Sequence, residues 1–135
     1  MKTVITFGTF DIFHKGHQSY LEQAKKLGNY LVVVVARDKT VEMVKNQKSV
    51  NSEQERIRTI KNNKISDKVI LGNLRNKYAA IKKYKPTVIA LGYDQKVNLA
   101  ELKEKLKEFN LQIKIVRMKS YKPEIYKSSK LKDKL

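Results

Sequence analysis

Two histidines, His14 and His17, stand three residues apart near the front of the chain, and it has no others. They close the segment Gly8-Thr9-Phe10-Asp11-Ile12-Phe13-His14-Lys15-Gly16-His17. These types at this spacing suit chemistry at a phosphoryl group. Backbone N–H groups in a turn around Thr9 and Phe10 can face phosphate oxygens. A helix beginning near Gly16 offers N–H groups and the positive end of its dipole. Gly16 has no side chain, so phosphates can come close. Two imidazoles can donate to oxygens on which charge grows in a transition state, and Lys15 adds a point charge. No nucleophilic side chain is needed if an acceptor phosphate does the attacking; such a site works by positioning and electrostatics. A zinc site would need a third ligand. The chain has no cysteine, so only a carboxylate such as Asp11 could supply one, and no protein metal ligand is expected. The Gly-x-Gly-x-x-Gly spacing of a dinucleotide loop is absent.

The elements that must position this segment alternate along the chain. Val4 to Phe7 reads as a strand closed by Gly8, and Gly16 to Leu27 as a helix with Gly28 as its C-terminal stop. Leu31 to Ala36 is a continuous apolar run, as expected of a strand buried on both faces. A short helix and loop follow from Asp38 to Val50. Ser52 and Glu55 form a capping-box pattern for a helix to about Asn62. Val69 to Leu71, Thr87 to Leu91 and Leu111 to Val116 read as further strands. Asn76 to Tyr84 and the Leu99-Leu102-Leu106-Phe109 stripe read as helices. The alternation predicts an α/β fold: a Rossmann-like, doubly wound, five-stranded parallel sheet in a single domain, residues 1–135. Gly8, Gly72 and Gly92 each follow a strand, at the edge where such sheets bind ligands.

Composition sets limits. A 41% hydrophobic content can supply a core in one domain of 135 residues. The longest apolar run is too short to cross a bilayer, and no signal-peptide pattern follows Met1, so a cytoplasmic protein without a membrane partner is expected. The formal charge of +17 invites a nucleic-acid partner. Its makeup argues otherwise. It comes from 25 lysines and five arginines, and the lysines are spread along the whole chain. Base-edge readout favours arginine, so no nucleic acid is expected as main ligand. Part of the charge is expected to serve an anionic substrate.

The Gly8-Thr9-Phe10-Asp11 turn followed by His14-Lys15-Gly16-His17 resembles the signature of the cytidylyltransferase-like superfamily of nucleotidyltransferases, and the resemblance covers nearly the whole chain. It implies a doubly wound sheet. It also implies that His14 and His17 stabilise the pentavalent transition state at an α-phosphate, with Thr9, Phe10, Lys15 and Gly16 sharing the nucleotide site. Lys127-Ser128-Ser129-Lys130-Leu131-Lys132 is similar to the family's second motif, in which Ser128 and Ser129 would hold the β- and γ-phosphates. It departs from the pattern, because Lys127 stands where a first hydroxyl is usual. Lys45 and Lys48 follow the second strand, where the family often places a lysine for substrate phosphates. Arg56 matches an arginine that opens the family's next helix and would also serve a substrate phosphate. On residue type alone, Arg56 could equally be an ion-pair partner on a solvated face.

Within the superfamily, Val35-Ala36-Arg37-Asp38, Ala90-Leu91-Gly92-Tyr93-Asp94-Gln95 and Val116-Arg117-Met118-Lys119-Ser120-Tyr121 resemble the archaeal-type FAD synthetase. That family transfers AMP from ATP to FMN, giving FAD and pyrophosphate. The alternative is a cytidylyltransferase acting with CTP on glycerol 3-phosphate or another small alcohol phosphate. Its Arg-Thr-x-Gly-Ile-Ser-Thr run is absent here, and there is no tryptophan for its Gly-Asp-Asp-Trp turn. Asp94 could accept from ribose hydroxyls or an exocyclic amine, and Tyr93 or Tyr121 could stack on a ring. Adenine and cytosine both carry such an amine, so these residues leave the base open. The resemblance implies Mg²⁺ held mainly by phosphate oxygens and water, with Asp11 helping through water or by holding a histidine. It also implies a homodimer.

Overall fold

The run from Leu31 to Val35 is buried throughout, and its side chains alternate between two cores. Leu31, Val33 and Val35 join one cluster, and Val32 and Val34 join the other. A strand apolar on both faces must lie inside a sheet covered on both sides. The computed structural model, which describes residues 2–93 and 95–120, has that arrangement. Five strands, β1 (Thr3–Gly8), β2 (Tyr30–Val35), β3 (Lys68–Leu71), β4 (Val88–Leu91) and β5 (Lys114–Arg117), form one parallel sheet in the order β3-β2-β1-β4-β5. Helices α1 (Lys15–Lys25) and α3 (Glu53–Asn63) give Leu21, Ala24 and Ile60 to one core. Helices α4 (Ala79–Tyr84) and α5 (Leu99–Glu108) give Ile81, Leu102 and Leu106 to the other. Helix α2 (Asp38–Lys45) follows β2 and buries only Val41. The fold is the Rossmann-like α/β sheet expected from the alternation.

Several boundaries differ from expectation, each for a local reason. Helix α4 begins at Ala79 rather than Asn76, because the Asn73 side chain accepts the N–H groups of Arg75 and Asn76 and holds a turn there. Strand β5 begins at Lys114 rather than Leu111, whose N–H instead closes α5 on Leu106 O. The Ser52–Glu55 capping box forms at the start of α3. Gly28 does not end α1 in the left-handed conformation, since no glycine among the described residues has positive φ. Its lack of a side chain serves packing. A Cβ at Gly28 would lie 2.6 Å from Lys2 O and 2.9 Å from Val4 Cγ2. Lys2 O cannot retreat, because it accepts from Asn29 N and Tyr30 N.

Gly28→Ala should therefore destabilise the chain by about 1–3 kcal/mol, the usual cost of overpacking. Gly92→Ala should be nearly neutral, since its added Cβ would find its nearest neighbour at 3.6 Å. Denaturant midpoints of the two variants test the contrast.

Candidate active site

The carboxyl ends of the strands open into one cavity of ≈ 900 Å³. It straddles β1, beside which the strand order reverses, as expected for a ligand site in this type of sheet. Thr9, Phe10, Asp11, His14, Gly16 and His17 all reach its wall, as do Lys45 on α2 and Tyr93 after β4. The structure thus brings the front segment together with residues thirty and eighty positions further on. Lys48 is exposed and lies off the wall. Asp94, Tyr121, Lys127, Ser128 and Ser129 lie outside the described residues.

The turn after β1 is strained. Phe10 and Ile12 adopt positive φ of 55° and 48°, a region that L side chains enter at a cost. The strain folds the Phe10 ring back over Gly8, where a Cβ would meet ring carbons at 2.7 Å and 2.8 Å. Phe10 is buried, stands edge-on to His17 at 5.4 Å, and stacks on Tyr20 at 6.1 Å. The Phe10 side chain therefore shapes the cavity wall behind His17.

The histidines form a unit. Their rings stack with centroids 3.8 Å apart and planes 21° from parallel. His14 is the N-cap of α1, and its Nδ1 accepts the Gly16 N–H at 3.0 Å. That bond keeps the lone pair on Nδ1 and the proton of the neutral ring on Nε2. It also corrects one expectation: the Gly16 N–H is engaged by His14 rather than open to a phosphate. Burial lowers the pKa of His14. Burial, the neighbouring His14 and the Lys45 ammonium push His17 down to about 3, with the Asp11 carboxylate acting against them. Both rings are neutral donors near pH 7.

Arg56 is corrected more strongly. It is not on a solvated face, and it does not line the cavity; it is 1% exposed. Its Nη1 donates to Thr9 O and Ala36 O, both at 2.8 Å, its Nε to Asn51 O at 3.2 Å, and its Nη2 to Asp38 Oδ1 at 2.7 Å. This guanidinium ties the ends of β1 and β2 to the starts of α2 and α3 and leaves little of itself for a substrate. Asp11 is a tie as well. Its carboxylate accepts from Val50 N at 2.7 Å and Asn51 N at 2.9 Å, which anchors the loop after α2 against the front turn.

Three residues were missed from the sequence. Tyr20 packs partly buried against the core from α1, and its hydroxyl donates to Ala90 O at 2.7 Å and fastens α1 to β4. Its place on the apolar face of α1 was the only signal, since a tyrosine set against a core needs a partner for its O–H. The Gln95 amide spans Gly92 N and Phe7 O, and Arg117 reaches the carbonyls of the same loop. Such long-range bonds to backbone leave no local pattern to read.

The sequence profile of the family described as Cytidylyltransferase-like matches residues 5–134. An FAD synthase of Thermococcus sibiricus is 42% identical over 134 residues, covering 98% of this chain and 90% of that one. An FAD synthase of Thermoplasma volcanium is 40% identical over 136 residues, covering 100% of this chain and 94% of that one. The crystal structure of a lipopolysaccharide core biosynthesis protein from Thermoplasma volcanium superposes with a TM-score of 0.84. It has 41% identity and covers 90% of this chain and 98% of that one.

The depressed His17 pKa has a thermodynamic consequence. As pH falls below about 6.5 the unfolded chain gains a proton that folded His17 refuses down to about 3. Stability present above pH 6.5 is therefore lost on acidification through that window, with a slope of up to about 1.4 kcal/mol per pH unit for one proton. Subtracting the pH–stability curve of His17→Asn from that of the parent should isolate this slope. Parallel curves between pH 6.5 and 4 would contradict it.

Proposed function

The chain belongs to the cytidylyltransferase-like family, and from that membership we propose that it transfers AMP from ATP to FMN, giving FAD and pyrophosphate. The observation that carries this is the stacked pair of neutral histidines on the wall of a cavity large enough for two substrates. An oxygen of the FMN phosphate attacks the α-phosphorus of ATP, a P–O bond forms, and the bond to the β-phosphate oxygen breaks. Charge moves onto the equatorial and leaving oxygens. Neutral N–H donors preorganised there stabilise that charge without reorganising. Lys45, close enough to depress His17, supplies fixed positive charge on the acceptor side. Lys15, the first residue of α1, is exposed and does not line the cavity.

The other walls favour a flat, apolar acceptor. Beside β2 and β3 the cavity is lined by Val34, Val41, Val44 and Ala80. Val44 is 78% exposed although it faces this space. A small alcohol phosphate has no surface to lay on such a wall, whereas an isoalloxazine ring does. This supports the flavin over the CTP-dependent alternative. The nucleotide would then sit across β1, by β4.

A divalent ion, Mg²⁺ in this reading, would neutralise triphosphate charge when bound. Among the described residues no group of three or more acidic, histidine or cysteine side chains stands together, and the Asp11 oxygens take backbone N–H bonds. The residues therefore fit an ion carried by phosphate oxygens and water. No described helix is long and apolar enough to cross a membrane. We place the activity in the cytoplasm and in a homodimer, for which the outer strands β3 and β5 are the available edges.

Pyrophosphate release with ATP and FMN, with FAD identified chromatographically, tests the activity; turnover with CTP and alcohol phosphates but not with ATP and FMN would overturn it. His14→Ala or His17→Ala should lower kcat by roughly 10²–10³ while ATP binding changes little. Rates within about threefold of the parent in both variants would remove the histidines from the chemistry. Val44→Asp should raise the KM for FMN several-fold and leave the KM for ATP unchanged.

A further inference from the structure

Gly92, Tyr93 and Gln95 follow β4 on the cavity wall, and polar groups of these residues are held from two sides. On the cavity side, Gln95 Oε1 accepts the Gly92 N–H at 3.1 Å, and Gln95 Nε2 donates to Phe7 O at 3.1 Å. On the other side stands Arg117, the last residue of β5. Its Nη1 lies 2.7 Å from Gly92 O, 2.9 Å from Gln95 O and 3.4 Å from Tyr93 O. Gly92, Tyr93 and Gln95 line the cavity, and Arg117 does not. One guanidinium nitrogen therefore draws the carbonyls of these three residues away from the space that a nucleotide would fill.

We infer that Arg117 is a positioning residue for the nucleotide: it orders Gly92, Tyr93 and Gln95 and turns their carbonyl oxygens off the cavity. This rests on the AMP-transfer reading only for the identity of the nucleotide. Two physical effects follow. A loop already held in its bound shape costs less ordering when the ligand arrives. Carbonyl oxygens turned toward a cation do not present their lone pairs to an acceptor-rich, anionic ligand. The pairing of β5 does not rest on the Arg117 side chain. Arg117 is exposed, and β5 pairs with β4 through backbone bonds in register from Val88–Lys114 to Leu91–Arg117. Arg117 does not line the cavity, so it acts through the residues that it holds there.

The test uses the full chain with Arg117→Met and Arg117→Lys. Arg117→Met should raise the KM for ATP about tenfold, the expected scale for losing hydrogen bonds to a charged group. The KM for FMN and kcat should stay within about twofold, and the melting midpoint should barely move. Arg117→Lys should restore most of the ATP affinity, because all three carbonyls converge on one nitrogen. Calorimetric titration of the same proteins with ATP and magnesium reads the effect without FMN, so failure of the flavin assignment and failure of this inference are separate results. An unchanged ATP affinity in Arg117→Met would overturn the inference. So would an equal loss for both substrates, or a fall in kcat at constant KM for ATP.

Discussion

The buried guanidinium of Arg56 is the constraint on which the site depends. The carboxyl end of a parallel sheet gathers carbonyl groups that the next strand does not bond, and burying them unpaired is costly. Arg56 meets two at once, Thr9 O and Ala36 O, and adds Asn51 O. Its charge is matched by Asp38, whose carboxyl it holds below the usual range against the opposing pull of burial. A lysine could not do this, since only a planar fork reaches acceptors in several directions at once. With the ends of β1 and β2 tied, the strained turn at Phe10 and Ile12 has a fixed base. Asp11 then closes the same ring from the other side by holding Val50 and Asn51.

A division of labour between the two basic residue types follows. Three of the five arginines pair with carbonyls at the strand ends: Arg37 on Gly72 O, Arg56 on Thr9 O and Ala36 O, and Arg117 on Gly92 O. Lysines reach the cavity wall at Lys45, Lys77, Lys96 and Lys119, where Arg37 also stands while it holds Gly72 O. Forked donors go where geometry is fixed by backbone. Point charges go where a mobile anion must be met. The net charge of +17 therefore contains a structural part that no count of basic residues reveals.

Much of the fold was legible because it rests on periodicity. The apolar run at β2, the stripe of α5 and the Ser52–Glu55 box are local patterns with one stable outcome each. The place of the histidine segment between a strand and a helix was legible because its residues are consecutive. What escaped was carried by single long-range bonds. Arg56 carries the same sequence signal whether it pairs on a surface or ties two strands in the core. Gln95 and Arg117 lie 22 positions apart and meet over backbone, which has no residue type to recognise. Gly28 was misread because a helix-ending glycine and a close-packed glycine look alike until the strand that it touches is in place.

The neutrality of the histidine pair bears on how such a site could turn over. A permanent charge at His17 would grip ATP and the departing pyrophosphate alike, and binding that is equal in ground and transition states does not raise kcat. Burial disfavours that charge, and so do the Lys45 ammonium and any charge that His14 would carry. The bond from Gly16 N to His14 Nδ1 then aims what remains, a polarised N–H at Nε2. A neutral donor gains most where negative charge has concentrated on one oxygen, at the pentavalent phosphorus, and least on the delocalised charge of substrate or product. The stacking of the two rings at 3.8 Å also keeps the pair neutral, because neither can take a proton without raising the cost for the other.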